Sequence, residues 1–91
     1  MPVVDRSGKL CGYLGLRDIM KARRGGQMAA PVSSHMTRRV VSGSPSSSLR
    51  EIENLFFTHT IYDLPIVEDG RIVGIVTRDA YLKARAGITP P

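Results

Sequence analysis

The chain has 91 residues, 42% of them hydrophobic and 23% charged, with a formal charge of +5. That length accommodates one small domain or two repeats sharing a core, and it excludes a large catalytic barrel or a doubly wound fold. With aromatics at 5% and no Trp, a globular core must be built from Val, Ile, Leu, Ala and Met, and is thin.

From the N-terminus, Pro2-Val3-Val4 and the run Leu10 to Leu14 are short apolar segments about a polar turn, Asp5-Arg6-Ser7-Gly8-Lys9, and predict a hairpin. A helical stretch ending Lys21-Ala22-Arg23 follows. Cys11 lies in the second strand, and one cysteine closes no internal bridge, so it reads as a small buried hydrophobe. Arg24-Gly25-Gly26 and Ala29-Ala30-Pro31 break the helix, and Val32 to Met36 predict one helical turn within a linker over residues 25–36. Val40-Val41-Ser42 is expected to form a short strand and Gly43 to Ser47, around Pro45, a loop. Ser48-Leu49-Arg50-Glu51 is a capping box opening a helix whose Leu49, Ile52, Leu55 and Phe56 share one face. Phe56 and Phe57 have the apolar spacing of core residues. Pro65 to Glu68 and Arg71 to Val76 then form a hairpin about Asp69-Gly70, Thr77 caps a helix reaching about Ala86, and Gly87 stops it.

The chain repeats itself. Pro2-Val3-Val4-Asp5 returns as Pro65-Ile66-Val67-Glu68, and Lys21-Ala22-Arg23 returns as Lys83-Ala84-Arg85, the offset dropping from 63 to 62 because the first turn is one residue longer. The second copy is expected to read β-α-β-β-α and the first only β-β-α. Either the sequence is cut inside a repeat or another chain supplies the missing elements. The expected divisions are residues 1–24, the C-terminal half of a first motif, the linker, and residues 37–91, a complete second motif.

No catalytic constellation emerges. One Cys, two His and scattered Ser supply no nucleophile, base and orienting group, and His35 and His59 lack further ligands at metal-binding spacing. A non-catalytic protein without a metal is therefore expected. The longest nearly apolar stretch, Ile72 to Val76, is far below the roughly twenty residues of a bilayer span, and Asp5 falls where a signal peptide needs an apolar run. These features predict a soluble, cytoplasmic chain with no membrane partner. The excess of basic residues favours phosphate-bearing ligands or RNA and does not choose between them. Arg23-Arg24 and Arg38-Arg39 are the basic runs, read first as a solvated face and second as phosphate holders.

The β-α-β-β-α pattern resembles a CBS domain. His35-Met36-Thr37 precedes its first strand, Leu64-Pro65-Ile66-Val67 lies on its second and Gly74-Ile75-Val76-Thr77 closes its third. The resemblance covers residues 32–86 as one motif and 2–23 as half of another, and implies an α+β fold with the repeats paired about a pseudo-twofold axis. It further implies adenine nucleotide binding (AMP, ADP, ATP or S-adenosylmethionine) between the motifs and regulation of an attached enzyme or transporter. Arg17-Asp18-Ile19-Met20-Lys21-Ala22, followed by Ala30-Pro31-Val32 and Met36-Thr37-Arg38, is similar to the CBS pair of the bacterial poly(A) polymerase and tRNA nucleotidyltransferase group. That group's paired metal-binding aspartates are absent, so such an activity lies outside these residues.

The family's ligand signature is Gly, two apolar residues, Ser or Thr, two variable residues and Asp. A helix start attracts phosphate, the hydroxyl donates, and the carboxylate accepts ribose hydroxyls. The second copy keeps Gly74 and Thr77 but has Ala80 at the acid position, with Asp79 one residue, about 100° of helix, early. The first keeps Gly12 and Asp18, with Arg17 beside it, but has Gly15 at the hydroxyl position. Ser44, Tyr62, Asp63 and Pro65 match places where family members touch adenosine. Each residue also has a plainer reading: Thr77 caps its helix, Asp18 complements a helix dipole, Ser44 shapes a turn and Tyr62 is a half-buried sheet residue. Dimerisation is expected, since the half motif leaves an uncovered face. The rival readings are a structural dimerisation module with decayed sites and an RNA-contacting accessory domain.

Overall fold

β-Branched residues on either side of a tight turn form hairpins in both halves of the chain. In the computed structural model, which describes residues 1–87, β1 (Pro2–Val4) pairs antiparallel with β2 (Leu10–Tyr13), and β3 (Asp63–Glu68) with β4 (Arg71–Thr77). The helices are α1 (Leu16–Arg24), α2 (Leu49–Thr58) and α3 (Arg78–Arg85), with a single 3₁₀ turn at Val32–Ser34. This is a small α+β architecture of two hairpins and three α-helices. The chain divides into two compact units, Met1–Val40 and Val41–Pro91.

The two hairpins share a register to the residue. Val3 faces Gly12 and Val4 faces Leu10; in the second copy Ile66 faces Gly74 and Val67 faces Ile72. Cys11 and Val73 are therefore the extra residues of two equivalent β-bulges. This placement leaves Cys11 half-buried, its Sγ 3.4 Å from the Val3 carbonyl, where a core position was expected. The turns differ. Asp69 and Gly70 have φ of 52° and 80°, the two left-handed residues of a type I′ hairpin. The longer first turn is organised by Asp5, whose Oδ1 accepts from Ser7 Oγ, Ser7 N and Lys9 N at 2.7, 2.9 and 3.0 Å. Those bonds hold its carboxyl below the usual carboxylate range.

In the first unit, Tyr13 and Thr37 exchange backbone hydrogen bonds of 2.8 Å, seating the segment after the 3₁₀ turn beside β2. Gly12 is buried beneath Met36, whose Sδ lies 2.5 Å from where a Cβ would stand. Leu14 and Ala22 are the buried hydrophobic side chains here. In the second unit the core is deeper: Leu64 and Pro65 are fully buried and Phe56 is 3% exposed. Phe56 stacks on Tyr81 at 5.0 Å, joining α2 to α3, and the Phe56 carbonyl accepts from Arg78 Nη1 at 3.3 Å.

Three further expectations change. Val40–Ser42 forms no strand; pairing is confined to Gly43, whose N–H donates to the Pro65 carbonyl and whose carbonyl accepts from Val67 N, a single parallel bridge. The chain turns away immediately, because Ser44 N is taken by Ser47 Oγ and Pro45 has no N–H to offer. Leu49, in the first turn of α2, is 87% exposed instead of joining the apolar face that Ile52, Leu55 and Phe56 form. Phe57 is 63% exposed, lying edge-on to Tyr81 under the Arg85 guanidinium rather than in the core. Among the described residues no helix is long and apolar enough to cross a membrane.

Candidate ligand-binding half-sites

Each unit presents the end of its hairpin's second strand and the first turn of the helix that follows, and the sequence differences between copies become differences in hydrogen bonding. In the first unit Gly15 caps α1 with an extended backbone and no side chain to offer. The cap is completed from the other direction: Asp18 Oδ2 accepts from Gly15 N at 2.7 Å. This reciprocal half of a capping box fixes the carboxylate beside the helix start. Asp18 is half-buried and lines a cleft of about 90 Å³ with Leu14, Ala22, Met28, Pro31 and His35. Asp18 Oδ1 has no protein partner among the described residues. Arg17, its neighbour, is exposed. The helix-dipole reading of Asp18 therefore uses one of its two oxygens.

In the second unit Thr77 caps α3, its Oγ1 accepting from Ala80 N at 3.1 Å. Arg78 N, the first amide of the helix, donates to the Tyr62 carbonyl at 2.7 Å. Two donors that a phosphate would need are therefore already used. Asp79 points elsewhere: its carboxylate pairs with Lys83 Nζ at 3.1 Å, one turn along α3, and its side chain is 78% exposed. Its early position in the motif has the effect expected of a 100° rotation.

The remaining candidates converge on β3. Asp63 faces Thr77 across the ladder, and Tyr62 precedes it at 68% exposure, outside the strand and more open than a half-buried sheet residue. Pro65 is fully buried, its carbonyl taken by Gly43 N. Ser44 follows Gly43 directly, its Oγ 2.9 Å from Ser46 Oγ and 3.3 Å from Ser47 Oγ, and its carbonyl accepts from Ser47 N. The turn-shaping role of Ser44 is thus visible in the structure. The fold brings Tyr62, Asp63 and Thr77 to one end of the hairpin and Ser44 and Pro65 to the adjoining bridge; Arg17 and Asp18 belong to the other unit.

Two features escaped the sequence. Gly43 is buried, and a Cβ on it would stand 2.6 Å from Ile52 Cδ1 and 3.1 Å from Ile66 Cδ1; its flanking serines disguise it as ordinary loop. A second cavity, of about 100 Å³, lies among Phe56, Phe57, Arg78, Tyr81, Leu82 and Arg85, and its signal was the aromatic pair at 56 and 57 with Tyr81. Both cavities are well below the roughly 300–1,000 Å³ of a small-molecule site. Among the described residues no group of three His, Cys, Asp or Glu side chains is placed to hold a metal ion.

Repeated hairpins of identical register, each with a bulge and a capped helix, define a small α+β repeat module. The sequence pattern of the CBS domain matches residues 1–25 and 32–87, and the chain belongs to that family. The CBS domain-containing protein YhcV of Bacillus subtilis is 41% identical over 78 residues, 84% of this chain and 55% of YhcV. The chain thus spans about half the length of that relative. The A-adding tRNA nucleotidyltransferase of Aquifex aeolicus is 31% identical over 83 residues, 91% of this chain but 10% of that enzyme. Among solved structures, the CBS domain pair of MJ0100 in complex with 5′-methylthioadenosine and S-adenosyl-L-methionine superposes with a TM-score of 0.81 and 30% identity, covering 96% of this chain and 69% of that one. The cytosolic domain of the Mg²⁺ channel MgtE in complex with ATP gives 0.71 and 34%, covering 91% and 32%. CBS domains therefore occur joined to an enzyme or a channel, and the likeness to the tRNA nucleotidyltransferase is one among several such parents.

Proposed function

We propose that the chain is a non-catalytic regulatory module that binds an adenosine-bearing ligand, ATP, ADP, AMP or S-adenosylmethionine, and alters the state of an enzyme or transporter joined to it. The observation that carries this reading is Asp18: one carboxylate oxygen is fixed by the Gly15 amide and the other stands unengaged at a cleft. A carboxylate so placed accepts a pair of hydroxyls, as a ribose presents. The ligands of the MJ0100 and MgtE structures share that ribose and its adenine, which supports the ligand class. A cleft of about 90 Å³ does not enclose a nucleotide, so protein surface beyond it completes the site. Occupancy acts by differential affinity for two arrangements of the protein, because a ligand shifts only an equilibrium it discriminates.

The joined partner is proposed as an enzyme or transporter, with a tRNA nucleotidyltransferase as one candidate supported by the Aquifex relative. Self-association is part of the same reading, supported by the exposed Leu49 and Phe57 on α2 and Leu82 on α3; light scattering that shows a monomer across the micromolar range removes it. Titration calorimetry with the four ligands tests the central claim. Binding is expected for at least one, weakened about tenfold or more by Asp18→Asn and less than about twofold by Asp79→Asn. Absence of heat and of any thermal shift with all four at millimolar concentration overturns it.

A further inference from the structure

Charge is divided between the two units far more unevenly than the net value suggests. Residues 1–40 carry eight Lys and Arg against two Asp, a formal +6, whereas residues 41–91 carry five against six acids, a formal −1. All eight cations of the first unit, from Arg6 to Arg39, are exposed, and none makes an ion pair among the described residues. Its two acids are occupied locally, Asp5 by its own turn and Asp18 by the Gly15 amide. Both carboxylates, Asp5 close enough to interact with Lys9, are already counted in the formal +6 that remains.

The arrangement on α1 narrows the partner. Arg17, Lys21 and Arg24 occur at i, i+4 and i+7, one row of like charges about 5.4 Å apart along the exposed side of the helix. Neighbouring like charges along the row repel, and an external anion relieves that repulsion. Its regular spacing suits a ligand that is itself a row of anions, and Arg38 and Arg39 add two more contacts in the same unit. Tyr13 is the unit's one aromatic residue, and it is half-buried. Base stacking is therefore not offered, and neither are the Trp or Phe anchors that hold a basic helix in a lipid interface.

We propose that the first unit binds the phosphodiester backbone of a nucleic acid, independently of sequence. RNA and DNA share this chemistry, and the experiment separates them. Fluorescence anisotropy of the 91-residue chain is measured with a labelled 20-nucleotide oligouridylate, a DNA duplex of equal length and phosphatidylserine vesicles, between 50 and 200 mM KCl. For four or five phosphate contacts on the single strand, log K is expected to fall with log salt at a slope of about −3. Lys21→Gln with Arg24→Gln should flatten that slope by about 1.4, and Arg50→Gln on α2 should leave it unchanged. Arg38→Gln with Arg39→Gln, on a different segment, should flatten it similarly, which separates lost contacts from a damaged helix. A preference for one polymer at equal salt names the source. No binding at 50 mM KCl, equal binding by the Lys21/Arg24 variant, or adsorption to vesicles without binding to either polymer overturns the proposal.

Discussion

The two hairpins are the same construction placed in different surroundings. They share a register and a bulge, yet the second unit seals Leu64, Pro65 and Phe56 from solvent, while the first buries little beyond Leu14 and Ala22. What differs is the cover. The second hairpin has α2 in front of it, and α2 brings the Phe56 ring onto Tyr81 of α3; the first unit has α1 and the segment through the 3₁₀ turn to Thr37. Register is thus a local property of turn and pattern, whereas burial is supplied by whatever packs on the hairpin's face.

The comparison can be broken at several points. Leu64→Ala, in the better covered unit, should cost about 2–5 kcal/mol in urea denaturation, and Leu14→Ala distinctly less. Equal losses would show that the first unit is covered as well as the second. Next in size are Gly43→Ala, which drives a methyl against the Cδ1 atoms of Ile52 and Ile66, and Gly12→Ala, which drives one against Met36 and the Thr37 carbonyl; each should cost about 1–3 kcal/mol. An unchanged urea midpoint for the Gly43 variant would remove the single bridge from the account of the second unit's stability.

The two side-chain caps of the second unit give a finer test. Ser48→Ala and Thr77→Ala each remove an oxygen accepting an N3 amide, and each should cost about 1 kcal/mol, with Thr77→Ser nearly neutral. If Thr77→Ala lowers nucleotide affinity without changing the thermal midpoint, the hydroxyl serves the ligand rather than the helix. The smallest effect concerns Asp5. Its carboxyl is held below the usual range by hydrogen bonds that exist only in the folded turn, so its contribution is present above about pH 4 and is lost as pH falls below that. Asp5→Asn should flatten the dependence of the urea midpoint between pH 5 and 3. The second turn closes on Asp69 and Gly70 by backbone conformation, so Asp69→Asn, which also tolerates positive φ, should leave that dependence intact.

Much of this was legible in advance because it is short-range. Both hairpins, the Ser48 and Thr77 caps, the I′ signal of Asp69-Gly70 and the displaced acid at Asp79 depend on residues within a few positions of one another, where turn chemistry and helical period decide. The strand expected at Val40–Ser42 failed because a strand needs a continuing partner, and only the backbone of Gly43 reaches one before the serine turn intervenes. Phe57 and Leu49 failed for a related reason: spacing identifies a helix's apolar side but not how far the neighbouring element extends across it.

Sequence alone therefore determined the repeated hairpin-and-helix units, the family pattern and the lopsided charge, all of which follow from local periodicity, turn residues and counting. Only tertiary structure decided that Thr37 pairs with Tyr13, that Gly43 bridges to Pro65 and Val67, and that Phe56 is stacked on Tyr81 while Phe57 stays exposed. Hydrogen bonds and ion pairs act over a few ångströms, and those separations are set by packing rather than by position along the chain.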